Sequence, residues 1–245
     1  LLDKGVYSAR VQREMDIIVK GKYVSYFLIT QTEYAYAKEI GAYVGRGRGS
    51  GAGSLICYLM GITGVDPIEH NLSFDRFMNE GRIEKSMPDL DCDFEKRFVD
   101  KMKEFLMNRY GRDNVALIGN YGELTAKSAI TKMAKLYGEN NKTALYHSKM
   151  IKAGGSMVDV MKKTSPRLVK YMDNNYEAIS QVELVQGAIS QKGVHACGVL
   201  ITPSEGGKSV WDFVPVRKAK YGAFEELVLI SEFDGKACEK MGLLK

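Results

Sequence analysis

The run Met87-Pro88-Asp89-Leu90-Asp91-Cys92-Asp93-Phe94 sets three carboxylates at every second position, with Leu90, Cys92 and Phe94 between them. In a β-strand successive side chains leave opposite faces. As a strand, this run points Leu90, Cys92 and Phe94 into a core. It lines up Asp89, Asp91 and Asp93 on the other face, roughly 6–7 Å apart at Cα. Like charges on one face repel and require a compensating cation. Paired carboxylates on a rigid element are how a protein holds one or two Mg²⁺ ions, which take oxygen ligands and leave positions for substrate phosphates. A calcium loop of the EF-hand type is excluded, because it needs Gly at its sixth position and Glu at its twelfth, where this chain has Phe94 and Asp100. A solvated acidic edge strand is the other reading of the triplet.

A second run, Gly45-Arg46-Gly47-Arg48-Gly49-Ser50-Gly51-Ala52-Gly53-Ser54, precedes the acidic one. A flexible spacer needs no arginine, and this run lies between a strand-like pair and an apolar helix. Glycines let backbone N–H groups approach phosphate oxygens with no Cβ in the way. Ser50 or Ser54 can donate a hydroxyl hydrogen bond, and the following helix offers the positive end of its dipole. Arg46 and Arg48 can neutralise phosphate charge with forked hydrogen bonds. The run is not a Walker A loop, which ends in G-K-[ST]. Followed by paired aspartates, it reads as a site for a triphosphate and a metal.

The elements that must position these runs follow from apolar periodicity. Tyr7 to Lys20 predicts a helix with Val11, Met15, Ile18 and Val19 on its buried stripe. Tyr23 to Ile29 is an apolar segment that closes that helix or forms a strand. Glu33 to Ile40 predicts a second helix, stopped by Gly41. Tyr43-Val44 is a brief strand-like pair, Leu55 to Met60 an apolar helix, and Asp66-Pro67 a turn. After the acidic strand come a helix over Phe94 to Tyr110 and a strand over Val115 to Ile118. From Leu124 to Val185 the pattern is helical, basic and rich in methionine, with breaks at Gly154-Gly155 and Ser165-Pro166. Its methionines, at helical spacing, read as core filling. Val194 to Thr202 and Leu227 to Phe233 predict strands. The layout is α+β, then helical, then β again, as for a helical subdomain inserted into a mixed one.

The 245 residues suffice for one large domain or two ordinary ones, and an apolar share of 45% suits a globular protein. No stretch of eighteen apolar residues occurs, so no membrane span is expected. The opening residues carry neither a signal peptide nor an initiator Met, which reads as a start inside a longer protein. Cys57, Cys92, Cys197 and Cys238 form no C-x-x-C pair. They read as reduced thiols in a cytosolic protein, not as a zinc or redox motif. The net charge of +5 is uneven: residues 124–185 hold ten basic and five acidic side chains, which is the whole excess. Such a segment suits a polyanionic partner or a solvated helix face.

Taken in order, these residues resemble the bacterial C-family replicative DNA polymerases, the alpha subunits of DNA polymerase III. The resemblance rests on Gly47 to Leu55, Met60-Gly61-Ile62-Thr63, Phe74-Asp75-Arg76-Phe77-Met78-Asn79 and Ser86 to Phe94. It continues through Ile118-Gly119-Asn120-Tyr121-Gly122, Ala126-Lys127 and Gly193 to Val199. It closes on Glu232-Phe233-Asp234 and Gly242-Leu243-Leu244-Lys245, and so spans nearly the whole chain.

The resemblance implies a polymerase beta-like nucleotidyltransferase palm with an inserted helical thumb. On this chain the palm would be residues 1–123 and 186–245 and the thumb 124–185. Asp91 and Asp93 would be catalytic and would bind two Mg²⁺ ions. Arg48, Gly49 and Ser50 would hold the incoming dNTP. Lys245 would lie near the primer terminus, and Lys127, Lys132 and Lys135 would grip primer–template DNA. The fingers, an amino-terminal phosphoesterase-like domain and a third aspartate two residues past Lys245 would belong to a further segment or chain, so these residues alone are expected to be inactive. Replisome proteins such as a sliding clamp are implied partners, in the cytoplasm. Arg46 stands where the family has proline, and Ile83-Glu84-Lys85 lengthens the loop before Ser86. A non-catalytic DNA-binding or assembly subunit, and a nucleotidyltransferase acting on a small acceptor, are the other readings. His195 reads as a hydrogen-bonded structural histidine.

Overall fold

The computed structural model describes residues 4–83, 88–151 and 166–243. The Glu84-Lys85 insertion, Ser86-Met87, the Gly154-Gly155 break and Lys245 lie outside them. The chain divides into two compact units, residues 1–118 with 195–245, and residues 119–194.

In the first unit, α1 (Lys4–Lys20) and α2 (Val24–Glu39) lead the chain. The buried face of α1 is Glu14, Ile17 and Ile18, while Met15 and Val19 are exposed. The predicted stripe is therefore rotated, because a fully buried carboxylate is one of its inward residues. The segment predicted as two pieces, Tyr23–Ile29 and Glu33–Ile40, is the single helix α2. No Gly or Pro interrupts it, and Thr30 and Thr32 return their hydroxyls to the carbonyls of Tyr26 and Leu28, at 2.9 and 2.8 Å. Gly41, at φ +70, follows its end.

Next come a 3-10 turn at Gly49–Gly53, α3 (Leu55–Leu59), a second 3-10 turn at Phe74–Arg76, α4 (Glu80–Ile83), a third at Lys96–Phe98, and α5 (Val99–Tyr110). The helix predicted from Phe94 starts later, because Phe94 is held extended by an antiparallel bridge to Val44. Ile17, Ile18, Phe27, Tyr34, Ile56, Cys57, Phe74 and Phe77 form the core beneath the two runs, and Leu90, Cys92 and Phe94 pack against it.

A four-stranded sheet is formed by β1 (Val115–Glu123), β2 (Ile189–Ile201), β3 (Val216–Ala219) and β4 (Val228–Ser231), in the order β2-β1-β4-β3. β1 and β4 are parallel, with Ala116 opposite Leu229 and Leu117 opposite Ile230. β3 and β4 are antiparallel over four pairs, Val216↔Ser231 to Ala219↔Val228. The mixed sheet and its helices agree with an α+β class. β3 was not foreseen, since Val-Arg-Lys-Ala carries two cations in four residues. After β4 the chain forms a last described helix, Gly235–Lys240.

The second unit is helical, with α6 (Ala126–Leu136), α7 (Asn141–Ser148), α8 (Pro166–Asn174), α9 (Tyr176–Ser180) and α10 (Val182–Val185). Its core includes Ile130, Met133, Leu168, Tyr171, Met172 and Val182. Met133 and Met172 fill it as their spacing suggested. His147 stacks on Tyr171 with ring centroids 4.0 Å apart, and the Tyr171 hydroxyl donates to the Glu139 carboxylate. No helix among the described residues is long and apolar enough to cross a membrane.

Candidate functional site

The acidic run keeps its predicted alternation but is not a ladder strand. Asp89, Asp91 and Asp93 are exposed, while Leu90, Cys92 and Phe94 are half-buried. The backbone has one bridge, between Val44 and Phe94. Two hydrogen bonds flank it, from Gly45 N–H to Asp93 O at 3.0 Å and from Glu95 N–H to Tyr43 O at 3.3 Å. The pairing stops there because the partner is only Tyr43-Val44 before the glycine run turns away. From α2, the Tyr26 hydroxyl accepts the Leu90 N–H at 3.0 Å. Burial pushes the Glu33 carboxyl up to about 7. Burial, with the nearby Glu33 charge, also raises the Cys92 thiol.

The glycine loop lies directly on this run. A Cβ on Gly45 would stand 3.0 Å from Asp93 Cβ, and one on Gly49 would stand 3.6 Å from Asp91 Oδ2. Arg48 joins the two motifs. Its Nη2 is 3.7 Å from Asp91 Oδ2 and its Nη1 is 3.4 Å from Asp93 Oδ1. The fold thus brings Arg48, Gly49, Asp91 and Asp93 together from positions some forty residues apart. Asp89 has no part in this contact. Ser50 is exposed on the same turn. Lys127, Lys132 and Lys135 belong to the other unit, exposed on α6 with no ion pair among the described residues.

The rest of the glycine run serves packing. A Cβ on Gly51 would stand 2.7 Å from Leu90 Cδ2, and one on Gly53 only 2.5 Å from the Ser73 carbonyl oxygen. A backbone atom cannot swing aside as a side-chain tip can. Gly53→Ala is therefore expected to destabilise the protein by about 1–3 kcal/mol, and Ser50→Ala to leave stability unchanged. Urea denaturation of both variants measures this.

One expectation is overturned. The N-terminus of α3 is not open to a phosphate, because Glu14 occupies it. The Glu14 carboxylate accepts from Leu55 N at 2.9 Å, from Ile56 N at 3.0 Å and from the Ser54 hydroxyl at 2.8 Å. Ser54 is fully buried and its Oγ also accepts from Cys57 N. Of the two serines, only Ser50 remains available to a ligand. Arg10 completes the cluster, with Nε 2.7 Å from Glu14 Oε1 and Nη2 donating to the carbonyls of Gly53 and Leu72. Glu14 and Arg10 were missed. Their signal was a charged pair at i, i+4 whose Glu falls on the turn of Ile17 and Ile18. Among the described residues the buried Thr63 hydroxyl has no hydrogen-bond partner, and its methyl lies 3.1 Å from where a Cβ on Gly47 would be.

His195 turns Nδ1 onto its own strand, where it accepts from Cys197 N at 3.3 Å and Gly198 N at 2.8 Å. Only the tautomer with its proton on Nε2 can accept both. A Cβ on Gly198 would collide with Ile118 Cδ1 at 2.8 Å, so the His-Ala-Cys-Gly sequence forms a local backbone lock.

Mg²⁺ is tested against the donors present. Two hard carboxylates, each about half exposed, converge on one cationic group. Among the described residues no cluster of three or more His, Cys, Asp or Glu gathers. Two carboxylates completed by phosphate oxygens and water are a set that Mg²⁺ takes. The residues fit.

Residues 3–245 match the family described as bacterial DNA polymerase III alpha NTPase domain. The chain is 33% identical over 243 residues to DNA polymerase III subunit alpha of Bacillus subtilis, covering 98% of this chain and 21% of that protein. It is 34% identical over 244 residues to the subunit of Thermus aquaticus, covering 96% and 19%. It is 35% identical over 244 residues to that of Pseudomonas aeruginosa, covering 98% and 20%. The chain spans about a fifth of the length of these relatives.

Proposed function

We propose, since this chain belongs to the bacterial DNA polymerase III alpha NTPase domain family, that it carries part of the palm and the thumb of a replicative DNA polymerase. The observation that carries this reading is the convergence of Arg48, Gly49, Asp91 and Asp93. Arg48, the backbone of Gly49 and the Ser50 hydroxyl bind the dNTP triphosphate. Asp91 and Asp93 would hold Mg²⁺, which when bound would supply charge neutralisation and lower the pKa of the primer 3′-hydroxyl; that hydroxyl attacks the α-phosphate and pyrophosphate leaves. Positioning and electrostatics, rather than covalent chemistry, carry the rate. The remaining polymerase segments complete the site, so the 245 residues alone are expected to extend no primer.

The test is dNTP incorporation by the natural protein that carries this sequence, with templates of defined sequence. Incorporation that follows the template supports polymerisation. Incorporation that ignores it, onto a small acceptor, would point to another nucleotidyltransferase.

The helical unit is assigned to duplex binding. Lys127 and Lys135 lie two turns apart on α6, with Ser128, Thr131 and Lys132 on the same outer side. Contacts from such a stripe go to phosphates and are independent of sequence. Replacing all three lysines by alanine is expected to weaken binding equally on unrelated duplexes. The slope of log K against log salt should fall by about 2–3, each phosphate contact contributing about 0.9. Fluorescence anisotropy across a salt series measures this.

A further inference from the structure

We propose that Arg48 is a displaceable counter-ion. It neutralises Asp91 and Asp93 while the nucleotide is absent, and moves to the triphosphate when a divalent cation takes the pair. The inference rests on the reading of the site given above and adds a coupling between metal and nucleotide.

Three observations carry it. Among the described residues, Arg48 is the cation paired with either carboxylate. Its contacts, at 3.4 and 3.7 Å, are long against the 2.7–2.9 Å of a strong charge-assisted bond. The Arg48 side chain is 63% exposed, so water competes for it. The pairing suffices to hold two like charges beside each other and is weak enough to be exchanged. The backbone allows the exchange, since Arg48 lies between Gly47 at φ +120 and Gly49 at φ +64. A divalent ion brings two charges to about 2.1 Å from a carboxylate oxygen, closer than the guanidinium comes. The released guanidinium sits on the same turn as Gly49 and Ser50, where it meets phosphate oxygens. Each ligand then favours the other, and by linkage the effect is reciprocal.

Mn²⁺ binding to the natural protein carrying this sequence, followed by electron paramagnetic resonance, tests the proposal with no reaction running. Arg48→Gln is expected to bind Mn²⁺ about three- to tenfold tighter than wild type without nucleotide, because the competing charge is gone. A non-hydrolysable dNTP analogue should tighten Mn²⁺ binding in wild type and much less in Arg48→Gln. Arg48→Lys should behave close to wild type, and matched circular dichroism melts establish that all variants are folded. Unchanged or weaker Mn²⁺ affinity in Arg48→Gln, with binding lost in Asp91→Asn, overturns the counter-ion role and leaves the metal assignment standing. Wild-type Mn²⁺ binding by Asp91→Asn overturns the metal assignment and the counter-ion role with it.

Discussion

Asp91→Asn and Asp93→Asn are each expected to lower template-directed incorporation by about a hundred- to thousandfold while leaving duplex binding intact. Each substitution exchanges a carboxylate for a neutral amide of the same shape, so packing is unaltered. What is lost is negative charge where two carboxylates converge on Arg48. Removing one preorganised electrostatic group from a reacting centre costs on that order. Both side chains are about half exposed, so neither change disturbs the core formed by Leu90, Cys92 and Phe94 with their neighbours. Asp89→Asn is the internal control. Asp89 shares their exposure but has no contact with Arg48, and its loss should change the rate little. The measurements are single-turnover incorporation and duplex anisotropy on the same preparations. Near wild-type turnover in either Asp91→Asn or Asp93→Asn would refute the assignment.

Glu14→Ala is expected to destabilise the protein by about 3–5 kcal/mol, the cost of breaking a buried ion pair by removing one partner. Glu14 is fully buried. Its removal strands two backbone N–H groups at the start of α3, the Ser54 hydroxyl and the Arg10 guanidinium. Arg10 in turn holds the carbonyls of Gly53 and Leu72, so the loss reaches the base of the glycine loop. Glu14→Gln keeps an acceptor and the shape but not the charge, and should fall between. Urea denaturation gives the stability. KM for dNTP, measured where both proteins remain folded, separates loosening of the loop from simple unfolding. A Glu14→Ala protein as stable as wild type would remove this cluster from the account.

Short-range pattern is legible along this chain. The alternation of acidic and apolar residues from Asp89 to Phe94 needed only the two-residue period of an extended chain. The helical period of α1 was plain, but its buried face was not. Hydrophobicity ranks Met15 and Val19 above Glu14, and the partners that make Glu14 an inward residue lie some forty positions away. The split of α2 into two segments failed for a related reason: the threonines lowered its apparent helicity, yet they hydrogen-bond within the helix itself. β3 escaped notice because its pairing with β4, not its own composition, makes it a strand.

The glycine run shows the same division. Its composition announced a loop that approaches something closely, and the sequence offered phosphate as that partner for the whole run. The neighbours of Gly51 and Gly53 are Leu90 and Ser73, so those two glycines answer to the protein's own packing. The sequence by itself determined the chemistry available here: two hard carboxylates, an arginine between glycines, a basic helical stretch, and an order of motifs that places the chain in its family. Side-chain type and short-range period depend only on neighbouring residues, so they are readable along the chain. The tertiary structure decided that Arg48 faces Asp91 and Asp93, that Glu14 closes the start of α3, and that Ser50 alone of the two serines stays open. Each of these depends on contacts between segments distant in sequence, which form only when the core beneath them packs.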